Sequence, residues 1–409
     1  MKKFWLVFMG LGMSLYSFSQ IETDEEIVDT DTIEVAFSDT IDNAIVYPES
    51  MEADLNNLLT DWYMQQYAVV DDSCLVNSVN VDYPDSVYIR KLSQLPTVIE
   101  MPYNSVVRRY IDMYVQKRRA LVENLLGLST YYMPIFEEAL EREGLPLELK
   151  YLPIIESALN PSAVSRAGAS GLWQFMLNTG KIYGLESNSL VDERRDPIKA
   201  TWAAARYLKD MYAIYQDWNL VIAAYNCGPG TINKAIRRAG GKTDYWEIYN
   251  YLPKETRGYV PAFIAANYVM TYYCKHNICP METNIPDATD TIQVNRNLHF
   301  EQITDVCGIG MDEIKSLNPQ YKKNIIPGDS KPQTLRLPIN YISTFIDSQD
   351  TIYAHRSAEL FKNRRTVSVA NTRSTARSSK GKSSSQGNVT YHRIRNGETP
   401  VSYTHLTLP

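Results

Sequence analysis

The sequence predicts a mainly α protein: a long helical domain followed by a small α+β module with the element order strand, helix, helix, strand. Three observations carry that expectation. Apolar residues recur at helical spacing almost throughout residues 88–285, with start and stop signals between the runs. From 290 to 340 the pattern changes, with two β-branched runs flanking two short helical ones. The composition, 44% hydrophobic and 22% charged, is globular, and 409 residues is enough for roughly two to four domains.

Each element has its own signal. Asn104 is placed to cap VVRRYIDMYVQ, and Ser129 to cap TYYMPIFEEALEREG, which Gly144 ends. Pro146 stands at the first helical position of LELKYLPIIESAL. Asp196 and Pro197 open the clearest helix, in which Ile198, Trp202, Ala205, Leu208, Tyr212 and Tyr215 recur at steps of three and four and predict one buried stripe. In the following module TIQV and LRLPI read as strands, FEQITDVCGI and MDEIKSLN as helices.

The ends of the chain differ from its middle. Lys2 and Lys3 precede an apolar run, Phe4–Leu15, and Ser17 and Ser19 flank Phe18, so residues 1–20 read as a cleaved signal peptide. That run is shorter than the roughly 20 residues that span a bilayer, so no integral membrane span is expected after cleavage. Residues 21–87 form an acidic leader expected to be poorly ordered; 21–89 hold 17 Asp and Glu. Residues 346–389 read as a basic, Ser- and Arg-rich linker, eight Lys and Arg facing only Glu359 over 356–382. A net charge of −6 argues against nucleic acid as a partner. Five cysteines are too few for a disulfide scaffold. Cys274, His276 and Cys279 match no standard zinc spacing, so neither metal nor cofactor is expected.

The chemistry points to Glu156. It lies among Leu152, Ile154, Ile155 and Leu159, and Pro161 stops the helix just beyond it. Apolar surroundings and the negative helix end both disfavour its ionised form, as a general acid for glycosidic cleavage requires. A solvent-facing or Arg-paired Glu is the competing reading. Downstream, SRAGASGLWQFM, AAYNCGPG and LPKETRGYV add glycines for tight turns, Trp173, Tyr225 and Tyr259 as flat faces for sugar rings, and Gln174 and Asn226 as donor–acceptor groups for hydroxyl and acetamido groups.

ESALNPSAVSRAGASGLWQFM, AAYNCGPG and LPKETRGYVPAFIAA together resemble the ordered signature of family 1 lytic transglycosylases. VDERRDPIKATWAAARYL between them resembles the murein transglycosylase D subgroup. The resemblance spans roughly 100–290 and implies a lysozyme-like helical catalytic domain at 88–285. It implies Glu156 as the single catalytic acid and base, with Ser165, Gln174, Met176, Tyr225, Asn226 and Tyr259 contacting substrate. The implied partner is the peptidoglycan glycan strand and the implied location the periplasm or cell envelope. The implied reaction cleaves the MurNAc-β-1,4-GlcNAc bond and leaves a 1,6-anhydro-MurNAc end.

Asp192, Glu193 and Asp196 are the other acids to weigh, but DERRDP reads as pairing with Arg194 and Arg195 plus a helix cap. A goose-type lysozyme using water, and a silent peptidoglycan-binding scaffold, remain as alternatives. Residues 286–345 resemble a LysM-like βααβ module, although they lack the usual strand followed by Gly-Asp or Gly-Glu. The segment 390–400, within VTYHRIRNGETP, has that opening and resembles the start of a further repeat. Val401–Pro409 reads as the translation of a sequencing adapter and is set aside.

Overall fold

The structure, a computed structural model, describes residues 79–283, 285–286 and 288–362, with the backbone of Ala68–Val69. The expected signal peptide, most of the leader, the linker beyond 362, the repeat start at 390–400 and the segment 401–409 lie outside the described residues.

After a two-residue strand β1 (Ala68–Val69), α1 (Asp85–Ser93) and α2 (Ser105–Asp112) open the helical domain. The Asn104 side chain caps α2, accepting from the Val106 and Val107 amides at 3.0 and 2.9 Å. A π-helical turn, Met113–Lys117, leads to α3 (Arg119–Glu143). Ser129 is not a cap as expected, because α3 runs straight through it. Its hydroxyl donates to the Leu126 carbonyl inside the helix, and buried Leu121, Leu125 and Leu128 extend the packing face upstream. Gly144 ends α3 in the left-handed region, φ 69°.

Pro146 precedes a 3₁₀ turn, Leu147–Tyr151, and the α-helical piece is α4 (Leu152–Ser157). Pro153 has no N–H to continue an uninterrupted ladder, so the expected single helix is divided. There follow α5 (Leu177–Ile182), α6 (Pro197–Tyr215), α7 (Trp218–Cys227), α8 (Pro229–Arg238), α9 (Tyr245–Ile248) and α10 (Lys254–Tyr272). Asp196 caps α6 through the Ile198 and Lys199 amides. The stripe expected on α6 is displaced: Ala205 and Leu208 are buried, but so are Ala200, Ala203, Ala204 and Met211, while Ile198, Trp202, Tyr212 and Tyr215 are half-buried. The small residues let α6 pack closely on α3 and α7, and the rings spread around its edges, Tyr212 stacking on Trp218 at 4.1 Å. Helix α10 is the axis of the domain, touching α2, α4 and α7, with Val260, Phe263, Ile264 and Tyr268 fully buried.

The folded domain starts earlier than residue 88. Arg108 pairs with Asp82 and Asp85, each at 2.7 Å, and Asn80 meets the buried His276 at 2.9 Å, so the last part of the expected leader is built in. His276 also meets the Tyr268 hydroxyl and Cys279 is disulfide-bonded, which commits two members of the weighed Cys–His–Cys group elsewhere.

Strand β2 (Glu282–Thr283) pairs antiparallel with β1. The module then runs β3 (Thr289–Val294), β4 (Asn297–His299), α11 (Phe300–Cys307), α12 (Met311–Leu317), β5 (Ile325–Pro327) and β6 (Gln333–Pro338). β3 pairs antiparallel with β6, Thr289 opposite Pro338, and β4 with β5. The expected boundary at 345–346 is corrected by three further helices, α13 (Ile339–Asp347), α14 (Gln349–Ala354) and α15 (Ser357–Leu360). Their Phe345, Ile352 and Tyr353 share one core with Leu298, Phe300, Ile314 and Leu335, so 346–360 is part of the module.

The module is docked on the helical domain. Leu190 and Val191, from the loop before α6, enter its core, and Val191 forms a β-bridge with Tyr321. The Asp192 amide donates to the Gln320 carbonyl and the Lys322 amide to the Leu190 carbonyl, both at 2.9 Å, while Lys331 pairs with Glu186.

Candidate active site

Four segments meet around one cleft of about 450 Å³. α4 brings Glu156, and α7 ends on Tyr225 and Asn226. The first turns of α10 bring Glu255 and Tyr259, and the loop from Asn160 to Met176 brings Ser165, Gln174 and Met176. All seven residues that the resemblance implied as catalytic or substrate-contacting therefore line one cavity.

Glu156 sits in the final turn of α4, which closes with Ala158 and Leu159 both left-handed, φ 50° and 59°. Two successive non-glycine residues in that region are a strained helix end, and Gln174 opposite, φ 45°, is a third. Ser157 ties α4 to the loop, donating to the Pro153 and Leu172 carbonyls at 3.1 and 2.9 Å. The Glu156 side chain keeps a partial opening to the cleft. Its Oε1 accepts the Tyr259 hydroxyl, and among the described residues no cation pairs with it. Burial pushes the carboxyl up to about 8, the Tyr259 hydrogen bond pulls it down, and the Glu255 charge adds to the rise. A carboxyl in that range is a proton donor near neutral pH and a competent base once it has donated.

The surrounding polar groups are partly spent on the scaffold. The Tyr225 hydroxyl donates to the Trp173 carbonyl at 2.7 Å. Gln174 Nε2 donates to the Gly171 and Ala163 carbonyls at 2.8 and 3.3 Å, which leaves its oxygen unspent. Asn226 Oδ1 accepts from Thr256 at 2.8 Å, which leaves its amide N–H groups unspent. Ser165 Oγ accepts from the Ala169 amide at 3.0 Å. Met176, 46% exposed, gives the rim an apolar edge.

Trp173 is not a sugar platform. It is fully buried, its indole N–H donates to Thr201 at 2.9 Å and its ring packs edge-on to Phe136. The DERRDP acids are scaffold here. Asp192 takes both a 2.9 Å and a 2.8 Å bond from Arg194, whose Nη1 donates to the Gly168 and Phe175 carbonyls of the cleft loop, both at 2.9 Å. Glu193 pairs with Lys199 rather than with either arginine, because the chain turns into α6 and brings Lys199 to 2.6 Å. Gly171 has to be glycine: its φ is 86° and a Cβ would lie 1.8 Å from the Arg194 carbonyl.

Sequence reasoning missed Glu255, a second carboxylate lining the cleft, and Thr256, the anchor for Asn226. The signal was present: a helix starting at Lys254 puts Glu255 and Tyr259 four residues apart on one face.

The site combines a lysozyme-like helical domain around Glu156, which faces no cation among the described residues, with a docked βααβ module behind the cleft loop. Residues 133–248 match the profile of the Transglycosylase SLT domain, and 288–354 that of the Lytic transglycosylase MltD, LysM-like domain. These two matches bear out the resemblance read from the motifs. It is 30% identical over 242 residues to membrane-bound lytic murein transglycosylase D of Escherichia coli K12, covering 58% of this chain and 53% of that protein. It is 32% identical over 123 residues to the E. coli K12 soluble lytic murein transglycosylase, covering 29% of this chain and 19% of that one. The chain thus spans about half the length of the first of these relatives. The crystal structure of the 70 kDa soluble lytic transglycosylase of E. coli aligns over 44% of this chain and 30% of that one, with TM-score 0.33 and 26% identity.

Proposed function

We propose that the protein is a peptidoglycan lytic transglycosylase that cleaves the MurNAc-β-1,4-GlcNAc bond and closes a 1,6-anhydro ring on the muramoyl residue. The observation that carries this reading is the Glu156 carboxyl, held by Tyr259, facing no cation and raised to about 8. Protonated Glu156 gives its proton to the glycosidic oxygen as the C1–O bond breaks. The carboxylate then takes the proton of the C6 hydroxyl, whose oxygen bonds to C1, so no water is consumed. Tyr259 orients the carboxyl through both steps.

The unspent groups define the substrate contacts in this reading. Gln174 offers an acceptor, Asn226 a donor, Ser165 its hydroxyl proton and Met176 an apolar edge, while Tyr225 forms the wall beside Glu156. Glycan chemistry needs that mixture. The substrate lies in the cell envelope, reached by export through the signal peptide at 1–20. Among the described residues no helix is long and apolar enough to cross a membrane.

Glu255 favours a second reading, a lysozyme-type hydrolase, because it places another carboxylate on the same cleft. Mass analysis of products from purified sacculi separates the two. The proposal expects anhydro-muropeptides, each lighter by one water than the hydrolytic product, and retained activity in Glu255→Gln. Reducing-end muramic acid as the main product, lost in Glu255→Gln, would select the hydrolase.

A further inference from the structure

A second concavity, about 390 Å³, is lined in part by Arg257 of α10, two residues after Glu255 of the cleft. Thr256, whose hydroxyl donates to Asn226 of the cleft, stands between Glu255 on the cleft side and Arg257 on the far side. Thr231 of the concavity donates to the carbonyl of Cys227, the residue after Asn226, at 2.9 Å. α10 therefore contributes to both cavities, and these hydrogen bonds tie the α7 end that lines the cleft to the α8 and α10 residues around the second.

The second cavity has a charge character unlike the chain as a whole. Lys234, Arg238 and Arg257 line it and, among the described residues, no acidic side chain does, in a protein of net charge −6. Among the described residues none of the three cations forms an ion pair, and Lys234 and Arg238 are exposed. Arg257 is pre-set: its Nε donates to the Leu252 carbonyl at 3.0 Å and its Nη2 to the Asn250 carbonyl at 2.9 Å, which leaves further N–H groups for a ligand. Arg238 alone is explained by the negative end of α8, where a cation is favoured. Lys234 lies a turn earlier and Arg257 comes from a different helix, so helix-end electrostatics does not account for the cluster. Tyr251, 45% exposed, adds an apolar face on the same lining.

We propose that this concavity is a carboxylate-binding subsite for the acidic peptide stem carried by the glycan strand, with Arg257 and Arg238 taking a stem carboxylate and Lys234 adding charge. The inference rests on the reading of the cleft as a glycan site and gives that site a means of telling peptide-bearing strands from bare ones. Planar guanidinium forks suit carboxylates, and an exposed site of this kind weakens as salt rises.

The test is the double variant Lys234→Ala/Arg238→Ala, which leaves every cleft residue in place. Kinetics are measured on uncrosslinked glycan strands with their stems, and on the same strands stripped of stems by an amidase. The expected result is a KM raised about three- to tenfold on stem-bearing strands, as for two exposed charge pairs, with kcat unchanged and no change on bare strands. In parallel, NMR titration of the folded parent with free stem peptide should shift the Arg257 and Arg238 side-chain signals, while the peptide carboxamide gives no response and the double variant binds about three- to tenfold more weakly. An equal KM change on both strands, or stem binding of unchanged affinity after the double substitution, overturns the subsite. A parent that cleaves neither strand overturns the transglycosylase reading instead, and the titration still decides the subsite.

Discussion

Two carboxylates sit behind the same loop, and they have opposite surroundings. Asp192 is buried, 3% exposed, with both oxygens bonded to Arg194. Glu156 is deep in the cleft with a tyrosine hydroxyl and, among the described residues, no cation. The paired acid builds structure: through Arg194 it fixes the Gly168 and Phe175 carbonyls, and its own amide bonds the docked module. The unpaired acid is left holding a proton near neutral pH. Burial alone does not set the protonation of a carboxyl in this molecule; the partner does.

Removing the proton carrier should have the largest effect. Glu156→Gln keeps the shape and the Tyr259 contact, and the turnover of glycan strands should fall by about a thousandfold or more. The same variant should be the more stable protein. A carboxyl whose folded value is raised from 4.5 to about 8 makes the fold lose stability as pH climbs through that window, by up to about 1.4 kcal/mol per pH unit. Urea denaturation should show the glutamine variant ahead at pH 8 and level with the parent below pH 4.5; equal stabilities at pH 8 would break the comparison.

Giving Asp192 the isolation of Glu156 is the converse experiment. Arg194→Met leaves a buried carboxylate without its cation and two loop carbonyls without their donor, and should cost about 3–5 kcal/mol in denaturant titration. Adding Asp192→Asn should return part of that loss. Tyr259→Phe comes next: losing a hydrogen bond to the reacting carboxyl should slow turnover about tenfold to a hundredfold. Because that bond lowers the Glu156 value, the alkaline limb of the pH profile should move up. The smallest effect is expected from Lys209→Met, which breaks the exposed pair with Glu143 and should change stability by less than about 1 kcal/mol.

Local rules made much of this legible. The Asn104 and Asp196 caps and the Gly144 stop follow from side-chain chemistry within a few residues, and motif order brought Glu156, Ser165, Gln174, Met176, Tyr225, Asn226 and Tyr259 to one cavity. What was not legible depends on contacts distant in sequence. Ser129 looks like a cap until the buried leucines before it extend α3. Trp173 looks like a sugar platform until Thr201, 28 residues on, takes its N–H. The α6 rings look like a core stripe until alanines prove the better seat for a neighbouring helix. The module reads as ending at 345 because its last helices are short and polar, and their buried Phe345 and Ile352 declare themselves only against strands formed earlier.

The central claim is that Glu156 is a cation-free acid that keeps its proton at neutral pH. A ¹³C NMR titration of the glutamate side-chain carboxyls, with the Glu156 signal assigned by its loss in Glu156→Gln, measures this directly. The account predicts a midpoint near 8 for Glu156, moving higher in Tyr259→Phe. A midpoint near 4.5 would contradict it, since a carboxylate already ionised at neutral pH has no proton to give the glycosidic oxygen.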